Sequence, residues 1–305
     1  MFELTFLGTA AAAPLPKRGL SSAIVAHDEY RFMVDCGEGT QRQLLNSGLG
    51  FRRLEHILLT HPHLDHILGL AGILSTLSQW ETLERMTIYG GKTTLDRVED
   101  LLWRIVFRGT RPPIQIDLVE VRPGLILRGE DFDVTAFPVR HRGPDCYGFI
   151  FEEHARRPFL NDKATALGVP QGPERRELVR GNPITLADGR VIHPDDVLGD
   201  WVPGTKLVMT GDLADTSGLA EIACGAHALV TEATYIEADA ELARENGHLT
   251  AAQAARLARE ANARLLILNH ISGRYRDKDI ENEAKAIFPN TVVARDFDTF
   301  KIKAD

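Results

Sequence analysis

The stretch HILLTHPHLDHILGL, residues 56–70, constrains this chain more than any other feature. It places His61, His63, Asp65 and His66 within six positions, between an apolar run and a segment of helical period. A lone histidine is usually a satisfied structural group, but four metal-competent side chains this close together rarely are. HILLT reads as a buried strand, and the polar run begins where that strand ends. In an extended loop His61 and His63 project to the same side, whereas the adjacent Asp65 and His66 diverge. One pair therefore serves one metal ion and the other pair a second ion beside it. Imidazole nitrogen with carboxylate oxygen suits Zn²⁺, with Mn²⁺ or Fe as substitutes.

Four ligands on one loop cannot complete two sites, so others must come from the ends of further strands. Three residues qualify: His141 closes DFDVTAFPVRH, Asp212 closes TKLVMTGD, and His270 closes RLLILNH. Any one of them alone would be read as structural. Three at equivalent positions, alongside the HxHxDH loop, point to a dinuclear centre in which the two oxygens of Asp212 bridge.

Other strand-like runs (ELTFLG, MTIYG, IDLVEV, CYGFIFEE, ALVTEATY, TFKIK) alternate with helical segments such as DHILGLAGILSTLSQW, TLDRVEDLLWRIV and TAAQAARLAREAN. Thr250 is a natural N-cap for the last of these. Strands mixed with helices throughout predict a layered α/β domain. Residues 152–203 break the pattern with a Pro/Gly-rich text too long for an ordinary connection. The expected organisation is thus a domain in two halves, 1–151 and 204–305, with 152–203 inserted as an arm or subdomain.

Cys36, Cys146 and Cys224 lie far apart and form no CxxC, which argues for a reducing compartment and against a thiolate site. MFELTFLGTAAAAP lacks a basic leader region and reads as a first strand and loop. No segment reaches the roughly 18 apolar residues of a membrane span, so a cytoplasmic location without membrane contact is expected. A formal charge of −8 gives no general attraction to nucleic acid, so any such partner needs local basic patches.

THPHLDH resembles the signature of the metallo-β-lactamase superfamily, whose fold is an αββα sandwich with its metals at one edge. The ordered set LTFLGTAAAAPLPKRGLSS, DCGEGTQRQL, THPHLDHILGL, GVPQGP, GD at 211–212, TEATY at 231–235, HLT at 248–250 and HISGRY at 270–275 resembles ribonuclease Z. That family removes the 3′ trailer from precursor tRNA. The resemblance implies one zinc ion on His61, His63, His141 and Asp212, and a second on Asp65, His66, His270 and the shared Asp212. It makes Asp65 the acceptor of a proton from the attacking water. Two ions about 3.5–4 Å apart can bring the pKa of bound water down towards roughly 7 and polarise a phosphoryl oxygen. The products would be a 3′-hydroxyl on the tRNA and a 5′-phosphate on the trailer.

The leaving oxygen needs a proton, for which His248 is the candidate, oriented by Glu232. The family's loops usually read His-Glu-Ala-Thr and His-Ser-Thr, where this chain has Thr231 before Glu232 and Leu249 after His248. RNA phosphates would meet basic residues at the metal edge: Lys17, Arg18, Arg140, Arg142, Arg274 or Arg276. The excursion resembles the family's tRNA-gripping arm and carries Arg175 and Arg176, interleaved with Glu174 and Glu177. The family resemblance further implies a homodimer acting on precursor tRNA, with no DNA partner. The alternative is a small-molecule phosphodiesterase or sulfatase-like hydrolase of the same fold, which would have no use for the arm.

Overall fold

The structure, a computed structural model, describes residues 1–80 and 83–304. Strands β1 (Phe2–Gly8), β2 (Ser22–His27) and β3 (Tyr30–Val34) form an antiparallel meander. Strands β4 (His56–Leu58), β5 (Arg85–Gly90) and β6 (Gln115–Glu120) continue that sheet in parallel. A second sheet starts with β7 (Gly124–Arg128), β8 (Phe132–Pro138) and β9 (Tyr147–Glu153). After a short hairpin, β10 (Ile184–Thr185) with β11 (Val191–Ile192), that sheet is completed by β12 (Lys206–Met209), β13 (Ala228–Glu232), β14 (Leu266–Asn269) and β15 (Thr291–Val293). Strand β16 (Thr299–Ile302) then returns to pair with β1. The sheet orders are β16-β1-β2-β3-β4-β5-β6 and β15-β14-β13-β12-β9-β8-β7.

Side chains alternate across each strand, and both faces of each sheet are covered. Phe2, Leu4 and Phe6 of β1 join Phe32, Phe132, Phe149, Phe151, Met209 and Val230 in the core between the sheets. Leu7, Ile24, Met33 and Ile57 face the other way, onto the helix Leu70–Trp80. On the second sheet Val208, Leu229 and Leu268 meet the alanine face of the helix Ala251–Glu260. Strands buried on both faces read as continuous apolar runs, which is why β12–β14 stand out in the sequence. The result is helix, sheet, sheet, helix: the expected αββα sandwich.

Two expected helices are interrupted. Residues 64–80 split into Leu64–Ile67 and Leu70–Trp80 around Gly69. A Cβ on Gly69 would lie 2.0 Å from the carbonyl oxygen of Gly37, so the missing side chain lets the loop after β3 reach the histidine loop. The helix Lys92–Glu99 continues as a π-helical stretch over Asp100–Val106.

The chain forms two compact units, one made of residues 1–152 with those from 205 onward, the other of Glu153–Gly204. The smaller unit is folded, not a bare linker. Helices Asn161–Ala166, Pro173–Val179 and Pro194–Val197 and the β10–β11 hairpin enclose a core of Ala164, Val169, Leu178, Ile192 and Val197.

Candidate metal centre

Five strands deliver the site at their C-terminal ends. The loop after β4 carries His61 and His63 and leads into the short helix that bears Asp65 and His66. His141 follows β8, Asp212 follows β12, Glu232 ends β13, and His270 follows β14. Two of these positions carry unusual backbone. His270 has φ +53, and Gly211 (φ +68) packs where a Cβ would lie 2.9 Å from the Thr60 side chain. Positive φ at a non-glycine residue persists only where surrounding contacts hold it.

All seven metal-ligand candidates converge. His61, His63, His141 and Asp212 bring their ligand atoms within 4.8 Å of one another, as do Asp65, His66 and His270. Asp212, 3% exposed, ties the sets together. Its Oδ2 lies 3.7 Å from His61 Nε2 and 3.9 Å from His141 Nε2 on one side. On the other it lies 3.5 Å from His66 Nε2 and 3.4 Å from His270 Nε2. Asp65 Oδ2 stands 3.5 Å from His270 Nε2 and 3.7 Å from His66 Nε2.

The outer ring nitrogens decide which atoms face inward. His66 Nδ1 lies 2.7 Å from Asp35 Oδ2, an acceptor only, so it carries a proton and Nε2 is the nitrogen turned towards the centre. His141 Nδ1 donates in the same way to the carbonyl of Gly247, at 2.8 Å. Thr60 Oγ1 donates to Asp35, so His61 Nδ1, 2.9 Å from that hydroxyl, donates to it. Thr234 Oγ1 donates to Glu232 at 2.6 Å and so accepts from His270 Nδ1 at 3.0 Å. His63 turns its Nδ1 inward instead, 2.9 Å from His61 Nε2 and 3.3 Å from His141 Nε2. Metal-binding imidazoles are held through their second nitrogen in this manner.

The donor set fits a cation. The Nε2 atoms of His66 and His270 are buried and make no hydrogen bond, a costly state unless something else occupies them. Nitrogens tetrahedrally placed about 2.0–2.1 Å from zinc would stand roughly 3.3 Å apart, close to the spacings seen. Electrostatics agree. Burial pushes His61 well down, with His66 adding to the effect, and takes His63, with His141 beside it, down to about 4. Asp65 stays well below the usual carboxylate range, since His270 and His66 outweigh its burial. Asp212 does likewise.

His248 sits beside this centre with Nδ1 2.9 Å from Glu232 Oε1. Burial alone would lower it, but the Glu232 charge and hydrogen bond, helped by Asp212, raise it to about 9. Glu232 is fully buried. It also accepts the backbone N–H of Leu213 at 2.7 Å and of Leu249 at 3.1 Å. Leu249 thus serves through its main chain, while the Thr231 hydroxyl accepts from Thr210.

Sequence reasoning missed Asp35, Thr60, Thr234 and the N–H of Ala12, which donates to Asp65 Oδ2 at 3.1 Å. Asp35 was discoverable: it closes the apolar run YRFMVD just as Asp212 closes its own. Backbone donors leave no such signal.

The basic residues are placed less uniformly. Lys17 and Arg274 are exposed, the latter four residues past His270. Arg142 is exposed as well, Arg140 pairs with Asp215, and Arg276 pairs with Asp279. Arg18 is not available to a phosphate, contrary to expectation. It is 7% exposed. Its guanidinium is committed to Thr9 Oγ1 at 2.5 Å, the Ala294 carbonyl at 2.7 Å and Asp277 at 2.7 Å. In the smaller unit Arg175 bonds Asn161 and the carbonyls of Val169 and Pro170 and lies over the Phe159 ring, so it braces that unit. Arg176 is exposed.

Comparison with known proteins places these features in a family. The family model for the anti-Pycsar protein Apyc1 matches residues 2–156, a span that holds the histidine loop and His141 but not Asp212, Glu232, His248 or His270. A ribonuclease Z of Bradyrhizobium diazoefficiens is 49% identical over 298 residues, covering 98% of this chain and 99% of that protein. The crystal structure of the short form of human tRNase Z superimposes with a TM-score of 0.68 at 26% identity, over 98% of this chain and 99% of the other. The metallo-β-lactamase fold protein YhfI of Bacillus subtilis shares the fold, with a TM-score of 0.69 at 18% identity and 98% of each chain covered. With a relative this similar along nearly its whole length, the chain belongs to the ribonuclease Z family, on the metallo-β-lactamase fold.

Proposed function

We propose that this protein is a zinc-dependent endoribonuclease that removes the 3′ trailer from precursor tRNA, leaving a tRNA 3′-hydroxyl and a trailer 5′-phosphate. The observation that carries the reading is the pairing, on one edge, of two donor sets sharing Asp212 with a histidine held by Glu232. The near full-length relative named ribonuclease Z supports the same substrate.

His61, His63, His141 and Asp212 would hold one ion, and Asp65, His66, His270 and Asp212 the other, with manganese or iron as substitutes. Bound cations at such a site acidify a water and neutralise charge building on the phosphate. Asp65, low in pKa and held by the Ala12 N–H, is the acceptor for the proton of the attacking water. His248 is protonated at neutral pH, keeps its Nδ1 proton on Glu232, and gives the Nε2 proton to the departing 3′ oxygen. Lys17 and Arg274 would meet phosphates beside the cut, and Arg176 the part of the tRNA held by the inserted unit. Action as a homodimer in the cytoplasm completes the proposal. Among the described residues, no helix is long and apolar enough to cross a membrane.

The test is cleavage of an end-labelled precursor with a 3′ trailer, alongside bis(p-nitrophenyl) phosphate and an Asp65→Ala control. A single cut next to the discriminator base, lost in the variant, is expected. Hydrolysis of the small diester with an intact precursor would instead make this a small-molecule phosphodiesterase.

A further inference from the structure

The buried Arg18 has no role in the reaction as described, yet its contacts are extensive for a surface loop. The loop 9–19 returns on itself through Ala10 N to the Gly19 carbonyl, at 2.9 Å. It is then fastened to the segment after β14: Ile271 N donates to the Thr9 carbonyl at 2.8 Å, and Ala11 N to the Ile271 carbonyl at 3.1 Å. Its tip reaches the metal edge, where Ala12, itself at φ +58, donates to Asp65 Oδ2. The loop therefore touches one member of the second donor set directly and flanks another, His270, through the next residue.

A polar network under the loop holds it in that position. Arg18 donates to Thr9 Oγ1, which donates to Asp296 Oδ1 at 2.7 Å. The other oxygen of Asp296 accepts from Gly19 N at 2.6 Å and Gln43 Nε2 at 2.7 Å. Asp277 joins Arg18 to Arg295. A buried arginine is tolerated only when paired and hydrogen-bonded, and here every partner lies on, or directly beneath, the loop. A short alanine-rich tip has no side chain able to anchor itself. The anchoring has to come from below.

We propose that Arg18 is a positioning residue for the second cation: it locks the loop so that Ala12 N–H orients Asp65 and Ile271 fixes the strained backbone of His270. This inference rests on the two-cation reading above. Among the described residues no hydrogen bond or ion pair joins the loop to His61, His63 or His141, so that set should be insensitive to it.

Metal retention separates this from a contact to RNA. Zinc-loaded wild type, Arg18→Met and the milder Asp277→Asn would be dialysed against graded chelator, with bound zinc counted by elemental analysis and folding checked by circular dichroism. Wild type should keep two ions per chain. Both variants should lose one of them at lower chelator concentration, with affinity down by about 10–100-fold for Arg18→Met as is usual for groups that orient ligands, and less for Asp277→Asn. The other ion should stay as in wild type, and kcat on precursor should fall with KM nearly unchanged. Folded variants that retain both ions like wild type, with KM and its salt dependence altered instead, would overturn the inference in favour of an RNA contact. Wild type holding a single ion would overturn the two-cation reading, and this inference with it.

Discussion

At His66 a proton and a cation compete for one nitrogen. Burial lowers its pKa, but Asp212 and Asp35 more than compensate and lift it well above the ordinary histidine value. Asp35 keeps the Nδ1 proton, so the proton displaced by a metal is the one on Nε2. Cation uptake at neutral pH should therefore release protons, and affinity should weaken as pH falls. Calorimetry in buffers of different ionisation enthalpy measures this directly; a binding heat independent of buffer would contradict it. The His248–Glu232 pair makes a second residue-scale case. A general acid must be protonated, so the basic limb of kcat/KM reports its pKa. Glu232→Gln removes the charge that raises His248, and the limb should move to lower pH. His248→Ala should reduce kcat by about 10²–10⁴-fold with both metal ions retained.

At the scale of elements, what was legible followed periodicity. The runs that became β12, β13 and β14 are apolar on both faces, and Thr250 caps its helix as its chemistry requires: Oγ1 accepts from Gln253 N, and the Gln253 side chain accepts from Thr250 N. Thr250→Ala should therefore cost about 1 kcal/mol in a urea melt. The interruptions were less legible, because they answer to distant partners. Nothing local in HILGLAGIL says that the helix must break at Gly69; there its N–H donates to the Cys36 carbonyl at 2.9 Å and a side chain would meet the Gly37 carbonyl, both more than thirty residues earlier in the chain. Gly211 is comparable, since only the fold reveals that it needs positive φ and lies against Thr60. Gly211→Ala combines backbone strain of about 1–3 kcal/mol with a displaced Thr60, which also bonds His61 and Asp35. It should lower both the unfolding midpoint and metal affinity, whereas loss of the cap should lower the midpoint alone.

For the whole molecule, the metal-ligand side chains were readable because each follows a strand, directly or through the histidine loop and its short helix, and strand ends gather at one edge of such a sandwich; His248 follows a helix instead. What held them was not readable: main-chain donors such as Ala12 N–H, and Arg18, whose burial reverses the meaning of a basic residue in an exposed-looking loop. The inserted unit follows the same logic. Its arginines suggest a phosphate grip, yet Arg157 is spent on Asp195 and Arg175 on its own scaffold. Arg180 pairs with Glu177 and Arg190 with Asp188. A grip on RNA by this unit would therefore rest on few charges and show a shallow salt dependence, since each neutralised phosphate contributes slightly less than one to the slope. Arg156 and Val202 pair through both backbone N–H groups, at 3.0 and 2.8 Å, so a short glycine–serine link can replace 157–201 without pulling on the ends. If the unit serves only tRNA, its deletion should raise KM for the precursor, leave bis(p-nitrophenyl) phosphate hydrolysis as in wild type, and keep both metal ions. Equal losses on both substrates would mean that the unit supports the catalytic edge itself, and its assignment to tRNA would fall.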